Sequence, residues 1–197
     1  MMRRVLIGVL LLLSGLVTSA RGESLEQDKQ EILAFSAKVV SIDCDFVQRK
    51  ESSLLVAPAV SSGHLTYRKP GYLEWDYVSP NPMTFVADGD QVSIKRNGQT
   101  ETLTGNPGRM MKEMSRMIIG NMDGSVLTNE KLFRTEYARE GESLVVTLYP
   151  RKTHLQKMWS KLVLYYDRQT MAATRFEMVE AAGDLMVITF TNVQYGF

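Results

Sequence analysis

The feature that most constrains this chain is a period of two. Leu73, Trp75 and Tyr77 alternate with Glu74 and Asp76, the pattern of a strand that buries one face and wets the other. The pattern recurs upstream, where Leu65 and Tyr67 share a face of the run 63–68, and downstream at Met83 to Ala87 and at Val92 and Ile94. Turn signals separate these runs: Pro70-Gly71, Ser79-Pro80-Asn81-Pro82, Asp88-Gly89 and Asn97-Gly98. With a strand from Ile42 to Arg49 and another from Thr100 to Leu103, this gives about six strands in sixty residues. Turns so short leave mostly antiparallel pairing.

The second half repeats the theme. Leu144, Val146 and Leu148 alternate before Tyr149-Pro150. Residues 158–166 place Leu162, Leu164 and Tyr166 on one face and Val163 and Tyr165 on the other. Thr174, Phe176 and Met178 follow, then Met186, Ile188 and Phe190. Two segments break the period. Residues 24–40 predict a helix, with Leu25, Ile32, Leu33, Phe35 and Val39 as its apolar stripe and Ser24 with Gln27 as a capping box. Residues 108–120, after Pro107, predict a second. The expected fold is α+β, mainly β. A sheet of about ten to eleven strands must curl to bury its apolar face. An unclosed antiparallel half-barrel with helices on its concave side meets that need.

The N-terminus carries Arg3 and Arg4, an apolar run from Val5 to Leu13, and small residues at Thr18 and Ala20. This predicts a cleavable signal peptide over residues 1–20, with a second cut available after Gly22. Residues 21–197 then form one domain. The apolar run up to Val17 is shorter than the ~20 residues a membrane-spanning helix needs. The single cysteine, Cys44, lies far from the cleavage point, so acylation there is excluded. One cysteine also makes no internal disulfide, and Cys44 reads as a small core residue. The 23 Lys and Arg oppose 22 Asp and Glu, and loss of Arg3 and Arg4 leaves 21. No basic excess points to nucleic acid.

Little in the chain resembles catalysis. His64 and His154 have no metal-ligand spacing, and His64 falls on the polar side of a strand. There is no Gly-x-Ser-x-Gly elbow and no phosphate-binding glycine loop. Glu74 and Asp76 share a strand face and could form a carboxylate pair, but Leu73, Trp75 and Tyr77 claim the inner face, so the solvated outer face is the expectation. The apolar inventory says more. Five of the ten methionines beyond the leader lie within residues 110–122. Methionine is flexible and polarizable, so such a helix is either core or a yielding wall over an apolar ligand. Tyr67, Trp75, Tyr77, Phe85, Tyr166 and Phe176 should point into one concavity.

The stretch from Gly63 to Pro80, with Gly63-x-Leu65, the basic-Pro turn Lys69-Pro70, the Tyr72 to Trp75 strand and Pro80, then Phe85 to the Asp88-Gly89 turn, resembles the periplasmic lipoprotein carrier family, LolA. Phe46-x-Gln48 matches its early strand. The resemblance implies an unclosed β-barrel with a helical lid over a hydrophobic cavity, no catalytic activity and no cofactor. It implies a monomer in the periplasm that takes acylated lipoproteins from an inner-membrane lipoprotein-releasing transporter and hands them to an outer-membrane lipoprotein acceptor. The lipid-binding cavity would draw Leu65, Tyr67, Leu73, Trp75, Tyr77 and Phe85 from the first half. Met110, Met114, Met117 and Ile118 would come from the helix, and Val146, Leu164, Tyr166, Phe176, Met178 and Ile188 from the second half. The family's lid-holding Arg falls at Lys69, which keeps the charge without the planar fork, while Arg68 points to the opposite face. The family commonly continues past the equivalent of Phe190-x-Asn192-Val193, and this chain stops at Phe197. Two other readings use the same scaffold: a half-barrel that binds another apolar ligand or senses envelope state, and an exported hydrolase acting through Glu74 and Asp76.

Overall fold

The computed structural model describes residues 16–122 and 124–197, so the predicted leader lies, up to residue 15, outside the described residues. The eleven strands are β1 Ser41–Glu51, β2 Ala59–Arg68, β3 Tyr72–Ser79, β4 Met83–Asp88, β5 Gln91–Arg96, β6 Gln99–Thr102, β7 Phe133–Glu140, β8 Ser143–Pro150, β9 Trp159–Asp167, β10 Ala173–Glu180 and β11 Leu185–Gly196. The helices are α1 Leu16–Lys38, α2 Gly105–Met122 and the single-turn α3 Thr153–Gln156. The strands form one antiparallel sheet in the order β6-β5-β4-β3-β2-β1-β11-β10-β9-β8-β7. Edges β6 and β7 do not pair, so the barrel is unclosed, as the strand pattern predicts. Each half is a meander of neighbours in sequence. The two meanders meet at one seam, where β1 pairs with β11 from Ser41↔Gly196 to Glu51↔Leu185.

The turns follow from their residues. Arg96 pairs with Gln99 around Asn97 and Gly98, both at positive φ (52° and 75°), the hairpin turn that Asn-Gly favours. Asp88 pairs with Gln91, so the β4–β5 turn is Gly89-Asp90, one residue later than the Asp88-Gly89 signal suggests. Period two sets the inner face. Ile42, Cys44 and Phe46 of β1, Leu65 and Tyr67 of β2, and Leu73 and Trp75 of β3 are buried. Cross-strand pairs stack them in rows: Cys44 opposite Leu65, Leu65 opposite Trp75, Trp75 opposite Phe85. Burial pushes the Cys44 thiol up to about 12, with Asp45 and Asp43 adding to the effect. The folded protein is therefore expected to leave Cys44 unmodified by a thiol-specific reagent at pH 8, with stoichiometric labelling appearing only in denaturant. Rapid labelling of the native protein would contradict this burial.

Four elements differ from expectation. α1 already runs at Leu16, the first described residue, and ends at Lys38, so residue 24 is inside the helix. Gln27 donates to Glu31, 2.8 Å away. α2 begins at Gly105, and Pro107 sits in its first turn, where a missing N–H breaks no helical bond. β2 starts at Ala59, four residues before the run 63–68 read from the alternation. Strand β7 has no counterpart in the alternation read from the sequence.

α1 is fixed at both ends of its described face. Asp28 is buried and accepts from Nε and Nη2 of Arg139 in β7, the latter at 2.7 Å, and from Nε of Arg168 at 3.2 Å. At the C-terminus, Lys69 Nζ donates to the Ala37 carbonyl at 3.2 Å, a cation at the negative end of a helix. Lys69 N–H donates to Val40 O, and Val40 N–H to Gly196 O, both at 2.8 Å. The Lys69 ammonium thus bonds the C-terminal end of α1.

Candidate functional site

α2 crosses the concave face. Met111, Met114 and Ile118 fall at helical spacing on the side turned to the sheet, and Lys112, Arg116 and Glu113 on the other. Ser115, buried on the inner side, donates back to the Met111 carbonyl at 2.8 Å, so its hydroxyl is satisfied within the helix. The outer side is tied to the sheet rim. Lys112 Nζ pairs with Asp90 in the β4–β5 turn, and Arg116 Nη2 lies 3.6 Å from the same carboxylate. The Lys112 hydrogen bond holds the Asp90 carboxyl below its ordinary range. Asp90 is 85% exposed, so this tether is weak and screened by salt. Only 26% of the Lys112 side chain is exposed.

Between α2 and the sheet lies an apolar cavity. It is lined by Trp75 and Tyr77 of β3, Met83 and Phe85 of β4, Ile94 of β5, Met111, Met114 and Ile118 of α2, Met178 of β10, and Met186 and Ile188 of β11. Gln48 of β1 is the one aliphatic polar side chain in the wall. The space is small, about 100 Å³, against the roughly 300–1,000 Å³ of pockets that enclose a drug-sized ligand. Five of the twelve lining residues are methionines, and these side chains can swing aside at low cost. A smaller pocket adjoins it, sharing Trp75 and Ile118 and adding Leu164, Phe176 and Phe190.

The structure sorts the residues expected to line a cavity. Trp75, Tyr77, Phe85, Met114, Ile118, Met178 and Ile188 share the main cavity, and Leu164 and Phe176 the adjoining pocket. Leu65, Tyr67, Leu73, Val146 and Tyr166 are buried in packed core and line neither space. Met117 faces a separate cleft at the far end of α2, beside Pro70, Gly89 and Val126. Met110 is 51% exposed and lies on an outer groove with Lys157 and Trp159. Sequence reasoning missed Met83, Ile94, Met111, Met186 and Gln48. Each sits on the inward phase of its strand or helix, so register carried the signal for them.

Polar groups inside are few. The Tyr77 hydroxyl donates to Gln48 Oε1 at 3.0 Å, and burial raises the Tyr77 phenol above its ordinary value while that bond works against the rise. The Trp75 Nε1–H is buried and has no hydrogen-bond partner among the described residues. At the edge, Lys50 pairs with Glu180 at 2.9 Å and Asp184 at 3.8 Å. The rings of Phe46 and Trp75 lie 4.9 Å apart, and Phe46 meets Tyr77 edge-on at 5.3 Å, so Phe46 backs the two rings that line the cavity.

The opposite face of the sheet is polar. Glu74 accepts from the Tyr72 hydroxyl and Asp76 from Thr84 at 2.7 Å, so both carboxylates are engaged on the side away from α2. His64 Nδ1 lies 3.0 Å from Asp45, which also accepts from Asn192 at 2.7 Å. Among the described residues no group of acidic, histidine and cysteine side chains could hold a metal ion. Nor is any described helix long and apolar enough to cross a membrane.

Similar solved structures include lipoprotein LppX of Mycobacterium tuberculosis (11% identity, TM-score 0.49, covering 87% of this chain and 95% of that one). A LolA-superfamily protein from Nitrosomonas europaea is similar at 10% identity and TM-score 0.45, covering 85% and 93%. A domain of a putative outer membrane lipoprotein-sorting protein from Vibrio parahaemolyticus is similar at 8% identity and TM-score 0.44, covering 88% and 92%. No curated protein matches the sequence. The model of the outer membrane lipoprotein carrier protein LolA matches residues 37–196, which takes in all eleven strands, the seam and the helix over the cavity, and the chain belongs to the LolA family.

Proposed function

We propose that this protein is a periplasmic carrier that holds the acyl chains of lipoproteins non-covalently beneath α2 and moves them from the inner to the outer membrane. The reading includes export by the leader over residues 1–20, a monomeric mature domain over residues 21–197, receipt from an inner-membrane transporter and delivery to an outer-membrane acceptor. The observation that carries it is the methionine-walled cavity between α2 and the sheet, in a chain of a carrier family. Burying an acyl chain contributes ~0.8 kcal/mol per CH₂, so ten methylenes outweigh the cost of moving a few side chains. A small, compliant cavity suits a carrier, because methionine walls can part for cargo and release it without a rigid fit. The weak Asp90 tether suits a helix that must lift.

The purified mature protein is expected to bind an apolar fluorescent probe, and acyl-bearing material should co-purify with it by mass spectrometry. Met114 is half-buried on the lining face. Met114→Glu sets a carboxylate against apolar walls and is expected to weaken probe binding at least tenfold, with the far-ultraviolet circular dichroism unchanged. A wild type that binds no probe, or a folded variant that binds it as well, would count against the proposal.

A further inference from the structure

We infer that Trp75 and Gln48 form a donor pair inside the cavity that binds the carbonyl oxygen of acyl esters, so that the site selects esterified lipid over plain hydrocarbon. This rests on the carrier reading, since it concerns the ligand of the same cavity. The lining is otherwise almost without donors. The Tyr77 proton is committed to Gln48 Oε1, which fixes the carboxamide and leaves its Nε2 hydrogens without a partner among the described residues. The Trp75 N–H is likewise unpaired, on a side chain only 3% exposed.

The Trp75 donor is costly in an apolar wall, whereas Gln48 is only half-buried. A buried donor without an acceptor forfeits the hydrogen bonds it had in water. Phenylalanine at 75 would keep the ring contact with Phe46 without that cost, and leucine or methionine at 48 would keep the volume of the wall. A cavity meant for hydrocarbon alone has no use for either donor, whereas a ligand carrying a carbonyl satisfies them. The placement fits. Trp75 borders both the main cavity and the inner pocket, and so stands at the neck between them. The adjoining pocket is only about 10 Å³ and is lined also by Ala173 and Arg175, so an acyl tail that parts Leu164, Phe176 and Phe190 to enter it leaves its ester at that neck. The headgroup side then faces the Gln48 amide. Selectivity of this kind follows the general rule that a site built to hydrogen-bond a ligand rejects the analogue lacking the group.

The test compares methyl palmitate with hexadecyl methyl ether, which differ by the carbonyl, as displacers of an apolar fluorescent probe from the mature protein. The wild type is expected to favour the ester at least tenfold. Trp75→Phe should cut that ratio to threefold or less, and the Trp75→Phe/Gln48→Leu double variant should bring it near one. With carbon-13 at the carbonyl, the infrared stretch should lie lower in the wild-type complex than in Trp75→Phe. Equal displacement by ester and ether in the wild type overturns the inference and leaves the carrier reading standing. So does an undiminished ratio in the double variant. Failure of both compounds to displace the probe overturns both. The wild-type ratio decides the matter even where a variant does not fold.

Discussion

Asp28→Ala is expected to cost about 3 kcal/mol of stability, read as a fall of roughly 6–12 °C in the thermal midpoint. The carboxylate is 7% exposed and holds two arginines from distant parts of the chain, Arg139 in β7 and Arg168 after β9. Removing it takes away the carboxylate that both guanidinium groups share, while Glu31 of the same helix still acts on Arg139. The arginines are each 28% exposed, so water offsets part of the loss, and the low end of the range for breaking a buried pair applies. The Arg139 hydrogen bond holds the Asp28 carboxyl below its ordinary value, against the opposing effect of burial. A carboxyl depressed in the folded state binds fewer protons there than in the unfolded chain. Its contribution is therefore full above the unfolded value near 3.9 and is lost as pH falls through the lower folded value. Urea melts of wild type and Asp28→Ala should differ most at neutral pH and converge below about pH 4. A gap that stays constant across that window would show that the charge is not what holds α1.

The second large effect is expected at Gly63. Gly63→Ala should destabilise the fold by about 2–3 kcal/mol, with little change in the denaturant slope. A methyl group built there would lie 1.8 Å from the Asp76 carbonyl oxygen and 2.8 Å from its carbon. Those atoms are backbone, so no side chain can turn away. The close approach comes from the bulge in β3, where Ser62 pairs with Ser79 but Gly63 with Tyr77, leaving Val78 as the extra residue. Phe46 and Tyr77, the cross-strand neighbours of Gly63, close over it edge to face. The variant should lose aromatic near-ultraviolet dichroism from this cluster before it loses secondary structure. Wild-type stability in Gly63→Ala would mean that the strands separate there more easily than the bulge geometry allows.

The sequence made the sheet legible where one face is apolar and the other charged. β3 and β10 are of that kind, and alternation marks their inward residues as a set. β7 escaped because its inner row reads Phe133, Thr135, Tyr137, Arg139, with charges between them. Arg139 is an inward residue only because Asp28, 111 positions away, meets it, and no local pattern encodes that partner. The same limit governs the site. Alternation tells which residues face inward but not where helix and sheet fail to touch. Leu65 and Tyr67 are as inward as Trp75, yet they are packed solid while Trp75 borders a void. The position of that void depends on where α2 crosses, and a single residue of helical phase moved the lining from Met110 to Met111.

The β1–β11 seam has a bearing on biogenesis. Every strand finds one sheet partner next to it in sequence, but β1 and β11 must find each other, some 140 residues apart, before their second edges are covered. Closing so long a loop is slow compared with forming hairpins. The twelve-residue strand β11 is the keystone, so a nascent chain emerging from its N-terminus has no complete sheet until β11 is free. A polypeptide wired in this way stays threadable until then, and locks into shape only when that strand arrives.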